Sequence, residues 1–213
     1  MTVRLPRPLD AVEARILGAL LEKELLTPDA YPMTLQALVA ACNQRTSRDP
    51  VTDLTAEETT AGLDRLRELV LAWKVTGGRA DKWEHNVSGK WDLDAGGRAL
   101  VSLLLLRGPQ TAAELRARAE RMHAFATADE VEALLRGMAA HGEPLVAELG
   151  RRPGQKETRF AHLVSGAPVE EAASGRPAPP SGPSAIERRL LALEERLAAV
   201  EGELATLKAS LGG

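Results

Sequence analysis

The sequence predicts a mainly helical α+β fold in which one small module occurs twice. Three observations carry this. Helix starts with a cap residue followed three positions later by glutamate recur along the chain, at Asp10–Glu13, Thr55–Glu58, Thr111–Glu114 and Thr127–Glu130. Such pairs can satisfy two orphan backbone N–H groups reciprocally. Each half also closes on a turn flanked by β-forming residues, at Gly77-Gly78 and at Gly150 to Gly154. Finally, aromatics make up only 3% of the 213 residues while hydrophobic residues reach 44%. Cores must then be built from Leu, Val and Ala, a composition that favours helices.

The elements follow in order. The Asp10 start opens a helix to about Leu25, with Val12, Ile16 and Leu20 on one face and Leu17 and Leu21 beside them. That is helical spacing. Thr27-Pro28-Asp29 ends it, a second helix begins at Thr34, and Asn43 is its expected C-cap. A polar loop, 44–54, precedes the Thr55 helix with its apolar positions Leu63, Leu66 and Val70. Leu71 to Thr76 and Asp81 to Val87 then form a hairpin around Gly77-Gly78. Three helices followed by a hairpin is the winged-helix arrangement. The second copy runs from Asp94 through an apolar helix over Leu100–Leu106, the Thr111 helix, and the Thr127 helix with Val131, Leu134, Leu135 and Met138. Its hairpin is expected from Leu145–Leu149 and Thr158–Val164. The expected domains are residues 8–92 and 93–165.

Residues 166–183 contain five prolines and three glycines and no aromatics. Such a stretch cannot bury enough surface to fold, and it reads as a disordered linker. Beyond it, Ser184 to Glu187 opens a last helix over 184–211. There Ile186, Leu190, Leu193, Leu197, Val200, Leu204, Leu207 and Leu211 follow in unbroken 4-3 spacing, which predicts a coiled-coil oligomer interface. With Leu190 at position a, a parallel arrangement pairs Arg189 with Glu194, Arg196 with Glu201 and Glu203 with Lys208, all attractive. The expected first partner is therefore the chain itself, in a parallel homo-oligomer. Dimer, trimer and tetramer all stay open, because Ile and Val occupy d positions.

Net charge is −3, which does not match a dedicated nucleic-acid coat. The single cysteine, Cys42, forbids an intrachain disulfide and, in an apolar run, reads as a buried structural thiol. No stretch is apolar for long enough to span a bilayer, and a cytoplasmic protein is expected. The four histidines lack metal-ligand spacing, no glycine loop for phosphate is present, and no metal or cofactor is expected. Without convergent titratable groups the chain does not read as an enzyme.

Three tracts carry a family likeness: Tyr31-Pro-Met-Thr-Leu-Gln-Ala-Leu-Val-Ala-Ala-Cys-Asn-Gln-Arg-Thr-Ser-Arg-Asp-Pro-Val51, Leu104 through Ala119 on to Phe125, and Arg152-Pro-Gly-Gln-Lys-Glu-Thr-Arg-Phe160. In this order they resemble the YceH-like family of bacterial proteins, over roughly residues 8–166. The resemblance implies a tandem winged-helix fold and no established activity.

Winged-helix proteins usually insert the third helix into the DNA major groove, where phosphates demand a neutral or basic face. Here the leading turns of both third helices carry acids, Glu57 and Glu58, and Asp129 and Glu130. Basic residues gather elsewhere. The candidate DNA contacts are Arg151, Arg152 and Lys156 in the second wing, Arg116, Arg118 and Arg121 along the Thr111 helix, and Arg45 and Arg48 in the first loop. Arg45 and Arg48 also suit a role in pinning their own loop. Trp73, Trp83 and Trp91 are expected to pack rather than to stack bases. Two readings result: a DNA-associated regulator that binds through wings or basic loops, or a protein-interaction adaptor that presents acidic third helices.

Overall fold

In the computed structural model, helix α1 (Ala11–Leu26) opens with its cap in place. The Asp10 carboxylate accepts from Glu13 N and the Glu13 carboxylate accepts from Asp10 N, both at 2.8 Å. The structure describes residues 5–78, 80–150 and 157–168. The linker beyond residue 168 and the heptad segment 184–211 lie outside the described residues. The described fold is mixed α+β, with seven α-helices and two small antiparallel sheets.

After α1 comes a one-turn 3-10 helix, Pro28–Ala30, then strand β1 (Met33–Thr34) and helices α2 (Leu35–Cys42) and α3 (Ala56–Glu68). Thr34 caps α2 through Ala37 N, and Asn43 closes it as expected. Thr55 and Glu58 complete the reciprocal cap of α3. The hairpin is β2 (Ala72–Val75) with β3 (Lys82–His85), shorter than the sequence suggests. The return strand stops at His85 because Asn86 leaves the extended region (φ −118°, ψ 27°) and Val87 N donates to His85 Nδ1 (3.2 Å), although Asn86 N still adds one ladder bond to Leu71 O (2.9 Å). This starts helix α4 (Val87–Trp91), which the sequence pattern did not reveal.

The second half repeats this order with α5 (Ala95–Arg107), β4 (Gln110–Thr111), α6 (Ala112–Ala119), α7 (Ala128–Ala140), β5 (Val146–Leu149) and β6 (Arg159–His162). Asp94 caps α5 through Gly97 N at 2.6 Å, and Thr111 with Glu114 forms the full reciprocal cap of α6. Thr127 keeps only half of its expected cap. Its side chain accepts from Glu130 N, but the Glu130 carboxylate takes Ala126 N at 2.7 Å. Thr127 has φ −136°, against −77° at Thr55, so its own N–H is oriented differently. The sheet orders are equivalent, β1-β3-β2 and β4-β6-β5. In each, a two-residue strand just before the second helix pairs with the return strand: Met33 with Trp83, and Gln110 with Phe160.

The halves share their first helices. α1 is buried from Glu13 to Glu22 without a gap, and α5 from Ala99 to Leu106. α5 is apolar nearly all round over that stretch, as helices enclosed by other elements are, whereas α1 carries Glu13, Arg15 and Glu22 within its buried stretch. The two helices meet at Gly18, where an added Cβ would lie 2.9 Å from Leu106 Cγ and 3.0 Å from Leu105 Cβ. A second glycine, Gly62 on α3, admits Ile16 of α1, whose Cδ1 would lie 2.5 Å from a Cβ there. Two backbone bonds also join the halves, Leu9 N to Val164 O (2.8 Å) and Asp49 N to Leu106 O (2.9 Å). Residues up to Pro168 accordingly form one compact unit.

His162 sits on β6 with its Nδ1 buried and without a hydrogen-bond partner among the described residues. Burial pushes its pKa down to about 4. The unfolded chain therefore binds a proton that the native state refuses between pH 6.5 and about 4. Stability should fall with pH across that window, by up to about 1.4 kcal/mol per unit from this residue. Urea titrations of the wild type and His162→Phe from pH 7 to 4.5 should show a flatter profile in the variant. Gly18→Val should cost about 1–3 kcal/mol or more through overpacking at the α1–α5 crossing, read as a lower urea midpoint than that of Gly137→Val, whose Cβ meets no atom within 4 Å.

Candidate nucleic-acid interface

The polar loop 44–54 is held from within by charges on α1. Arg15 is buried and donates to Cys42 O (3.2 Å) and Pro50 O (2.6 Å). Burial, and then the like charge of Arg48, hold its pKa below the usual arginine value. Arg48 corrects the sequence reading. Its side chain is wholly buried, bonded to both Glu22 carboxylate oxygens (3.1 and 2.7 Å) and to Ala41 O (3.0 and 2.8 Å). It cannot reach a phosphate, and it acts in the loop-pinning role. Burial raises the Glu22 pKa, but the Arg48 and Lys23 cations outweigh that and leave it below the carboxylate range. Asn43 completes the clamp, exchanging 2.8 Å bonds with the backbone of Leu54.

Because this loop also bonds to the end of α5 through Asp49, it brings first-half residues beside second-half ones. Arg45 is exposed on the loop. Arg107, in the last turn of α5, is half-buried. Burial and then the nearby Arg118 cation lower its pKa, with Asp49 opposing. Arg118 donates to Gln110 Oε1 and lies 3.4 Å from Glu114. Arg116 is exposed and donates to Phe125 O (3.1 Å). Arg121 is exposed and has no ion-pair partner among the described residues. Arg107 escaped the sequence reading because it closes an apolar helix. Its only signal was its place in a last turn, where a cation suits the helix dipole. Arg151, Arg152 and Lys156 lie outside the described residues.

The third helices remain acidic on their leading turns, with Glu57 and Glu58 exposed on α3, and Asp129 and Glu130 on α7. Glu58 and Glu130 are engaged as backbone acceptors. Asp64 lies 3.4 Å from Arg67, and Glu132 lies 2.6 Å from Arg136. Arg65 is turned away, toward Glu13 and Asp10. These helices therefore present little unbalanced positive charge.

Trp83 and Trp91 are buried, as expected, but Trp73 is 41% exposed. The register explains the difference. Trp73 pairs with Glu84 on the outer face of the hairpin, whereas Trp83 shares the inner face with Ala72 and His85. Both nitrogens of His85 are engaged, Nε2 with Glu24 at 2.9 Å and Nδ1 with Val87 N, while Tyr31 Oη accepts from His85 N at 2.6 Å. Cys42 is buried, and burial pushes its thiol up to about 12, so it is no nucleophile at neutral pH. Among the described residues no His, Cys, Asp and Glu cluster could hold a metal ion, and no helix is long and apolar enough to cross a membrane.

Removing Arg48 alone leaves the buried Glu22 carboxylate with Lys23 (3.0 Å) as its one remaining ion-pair partner among the described residues. Arg48→Met should cost about 3–5 kcal/mol, while Arg48→Met with Glu22→Met should recover most of that loss. Urea midpoints of the two singles and the double close the cycle.

Known sequences resemble this chain over most of its length. The model of a family described as "Protein of unknown function, DUF480" matches residues 9–155. A UPF0502 protein of Chromobacterium violaceum is 52% identical over 162 residues, covering 75% of this chain and 74% of the relative. A UPF0502 protein of Burkholderia vietnamiensis is 47% identical over 165 residues, covering 78% and 70%. One from an Acidovorax species is 47% identical over 179 residues, covering 81% and 80%. The matched span contains both helical repeats and the loop that joins them, and the chain belongs to the DUF480 family of bacterial UPF0502 proteins.

Proposed function

We propose that the chain is a non-enzymatic DNA-associated regulator built from two winged-helix modules and joined into oligomers by its C-terminal heptads. The repeated order of three helices and a hairpin, with a short third strand in each sheet, supports the winged-helix reading. The observation that carries the DNA reading is the pairing of Arg107 at the end of α5 with Arg118 of α6, where burial and then like charge lower Arg107, with Arg116 exposed on α6 and Arg121 exposed just beyond it. A cluster of cations that repel one another is relieved by an anion, and a phosphate backbone supplies several in a row. DNA would then meet α6 and the 44–54 loop rather than the third helices. Oligomerisation would multiply a weak contact by raising effective concentration.

The acidic leading turns of α3 and α7 favour a second reading, an adaptor that offers these helices to a basic protein. Salt dependence separates the two. Anisotropy titrations with mixed-sequence duplex DNA should show affinity falling about 10²-fold between about 50 and 200 mM salt, for roughly four phosphate contacts. Arg116→Glu with Arg121→Glu should lower the slope of log K against log salt by about 2. Absence of binding at low salt, or binding that ignores these changes and also Arg151→Glu with Arg152→Glu, would overturn the DNA reading.

A further inference from the structure

The turn between α5 and β4 gathers three arginines from three elements. Arg107 ends α5, Arg118 stands on α6 and Arg159 on β6. Arg159 Nη2 donates to Pro109 O, and the strand register sets Arg159 opposite Thr111. Arg118 is held by Gln110, which is 2% exposed. The Gln110 amide nitrogen donates to Leu103 O (3.0 Å) and Gly108 O (3.1 Å), so its oxygen is left to accept from Arg118. Arg107 differs from both. Its side chain is half-buried, with no hydrogen bond and no ion pair among the described residues.

A partly desolvated cation without a partner is costly, and more so beside like charge. Burial and the Arg118 cation both act on Arg107 in that direction. Each guanidinium carries five donors, and the turn occupies few of those on Arg118 and Arg159. Two carboxylates are near. Glu114 lies 3.4 Å from Arg118, but its other oxygen accepts from Thr111 N (3.0 Å). Asp49 draws on Arg107 without forming an ion pair with it. The turn is uncovered at Gly108, where an added Cβ would meet no atom within 4 Å. One bidentate arginine fills the two oxygens of a carboxylate, whereas a phosphate offers oxygens enough for three arginines.

We propose that this turn is a phosphate seat, with Arg107 as its anchor and Arg118 and Arg159 on its flanks. The seat deepens the DNA reading and rests on it for its occupant, a phosphate of the duplex backbone. A free phosphate compound has the same chemistry, and the experiment separates the two sources. Arg159 thereby joins the basic surface, although as a lone cation in a short strand it carried no sequence signal.

The test uses the full-length chain labelled with ¹⁵N and the Nε–H signals of its arginines, assigned by their loss in Arg107→Gln, Arg118→Gln and Arg159→Gln. The probe is inorganic phosphate, against sodium chloride at the same ionic strength. Phosphate should move the Arg107, Arg118 and Arg159 signals along one saturable curve and leave that of Arg136, on α7, in place. Arg107→Gln should weaken phosphate by at least about tenfold. No saturable shift, an equal shift in chloride, or an affinity unchanged in Arg107→Gln would overturn the seat, whatever duplex DNA does. The source is read with mixed-sequence duplex. Arg107→Gln and Arg159→Gln should each lower the slope of log K against log salt by about 1, and Arg136→Gln should leave it unchanged. Duplex binding that is absent or ignores both variants, while phosphate still binds, would overturn the DNA backbone as occupant and make it a free phosphate compound.

Discussion

The close approach of α1 and α5 at Gly18 is the constraint on which the other contacts depend. Without a Cβ, the two helices bring Leu105 and Leu106 almost onto the opposing backbone. Each helix is first in its own half, so burying one against the other gives both halves a common centre. Dispersion at such short range is lost quickly as a gap opens. Everything that leaves these helices inherits its position from that crossing: α3 through Gly62 and Ile16, and the N-terminal segment through Leu9 and Val164.

The buried stretch of a helix must satisfy its charges internally, and α1 does so with α3, the N-terminal segment and the loop 44–54. Glu13 receives Arg7 and Arg65, Arg15 donates to Cys42 and Pro50, and Glu22 holds Arg48. These bonds organise a loop that would otherwise be free to wander. The loop in turn bonds to the last turn of α5, so the interior charges of one half place a surface beside the cations of the other. The cations near α6 all come from the second half, and the junction sets the first half's loop beside them through Asp49 and Leu106.

The glutamates at the helix starts serve two ends that conflict for a DNA-binding protein. They satisfy backbone donors and complement the helix dipole. They also put negative charge where a third helix would meet phosphate. The exposed arginines of α3 and α7, Arg67 and Arg136, lie beside Asp64 and Glu132, whereas Arg116 on α6 and Arg121 just beyond it are exposed with no ion-pair partner among the described residues. An acidic leading turn and a basic second helix are consistent with one another if the docking face has moved from the third helix to its neighbour.

How much was legible in the residues depended on how local the cause was. Helix starts at Asp10, Thr34, Thr55, Asp94 and Thr111 were readable because a cap involves only three or four neighbouring residues. The Thr127 cap differed in its return bond, since that depends on the backbone angle of Thr127 itself. Strands β1 and β4 were invisible because two residues carry no periodicity, and only pairing with a distant return strand defines them. Trp73 could not be told from Trp83, as alternation sorts residues into two faces without saying which face is covered.

The amino-acid sequence by itself determined the two repeats, their helices apart from α4, and the apolar faces, because spacing and capping act within a few residues. The tertiary structure alone decided which charges are buried and which are free. Arg45 and Arg48 stand three positions apart in the same loop, yet one is exposed and the other is enclosed by Glu22. That difference is set by a carboxylate on helix α1, 26 residues away in sequence. Long-range proximity of this kind arises from packing, and no local pattern encodes it.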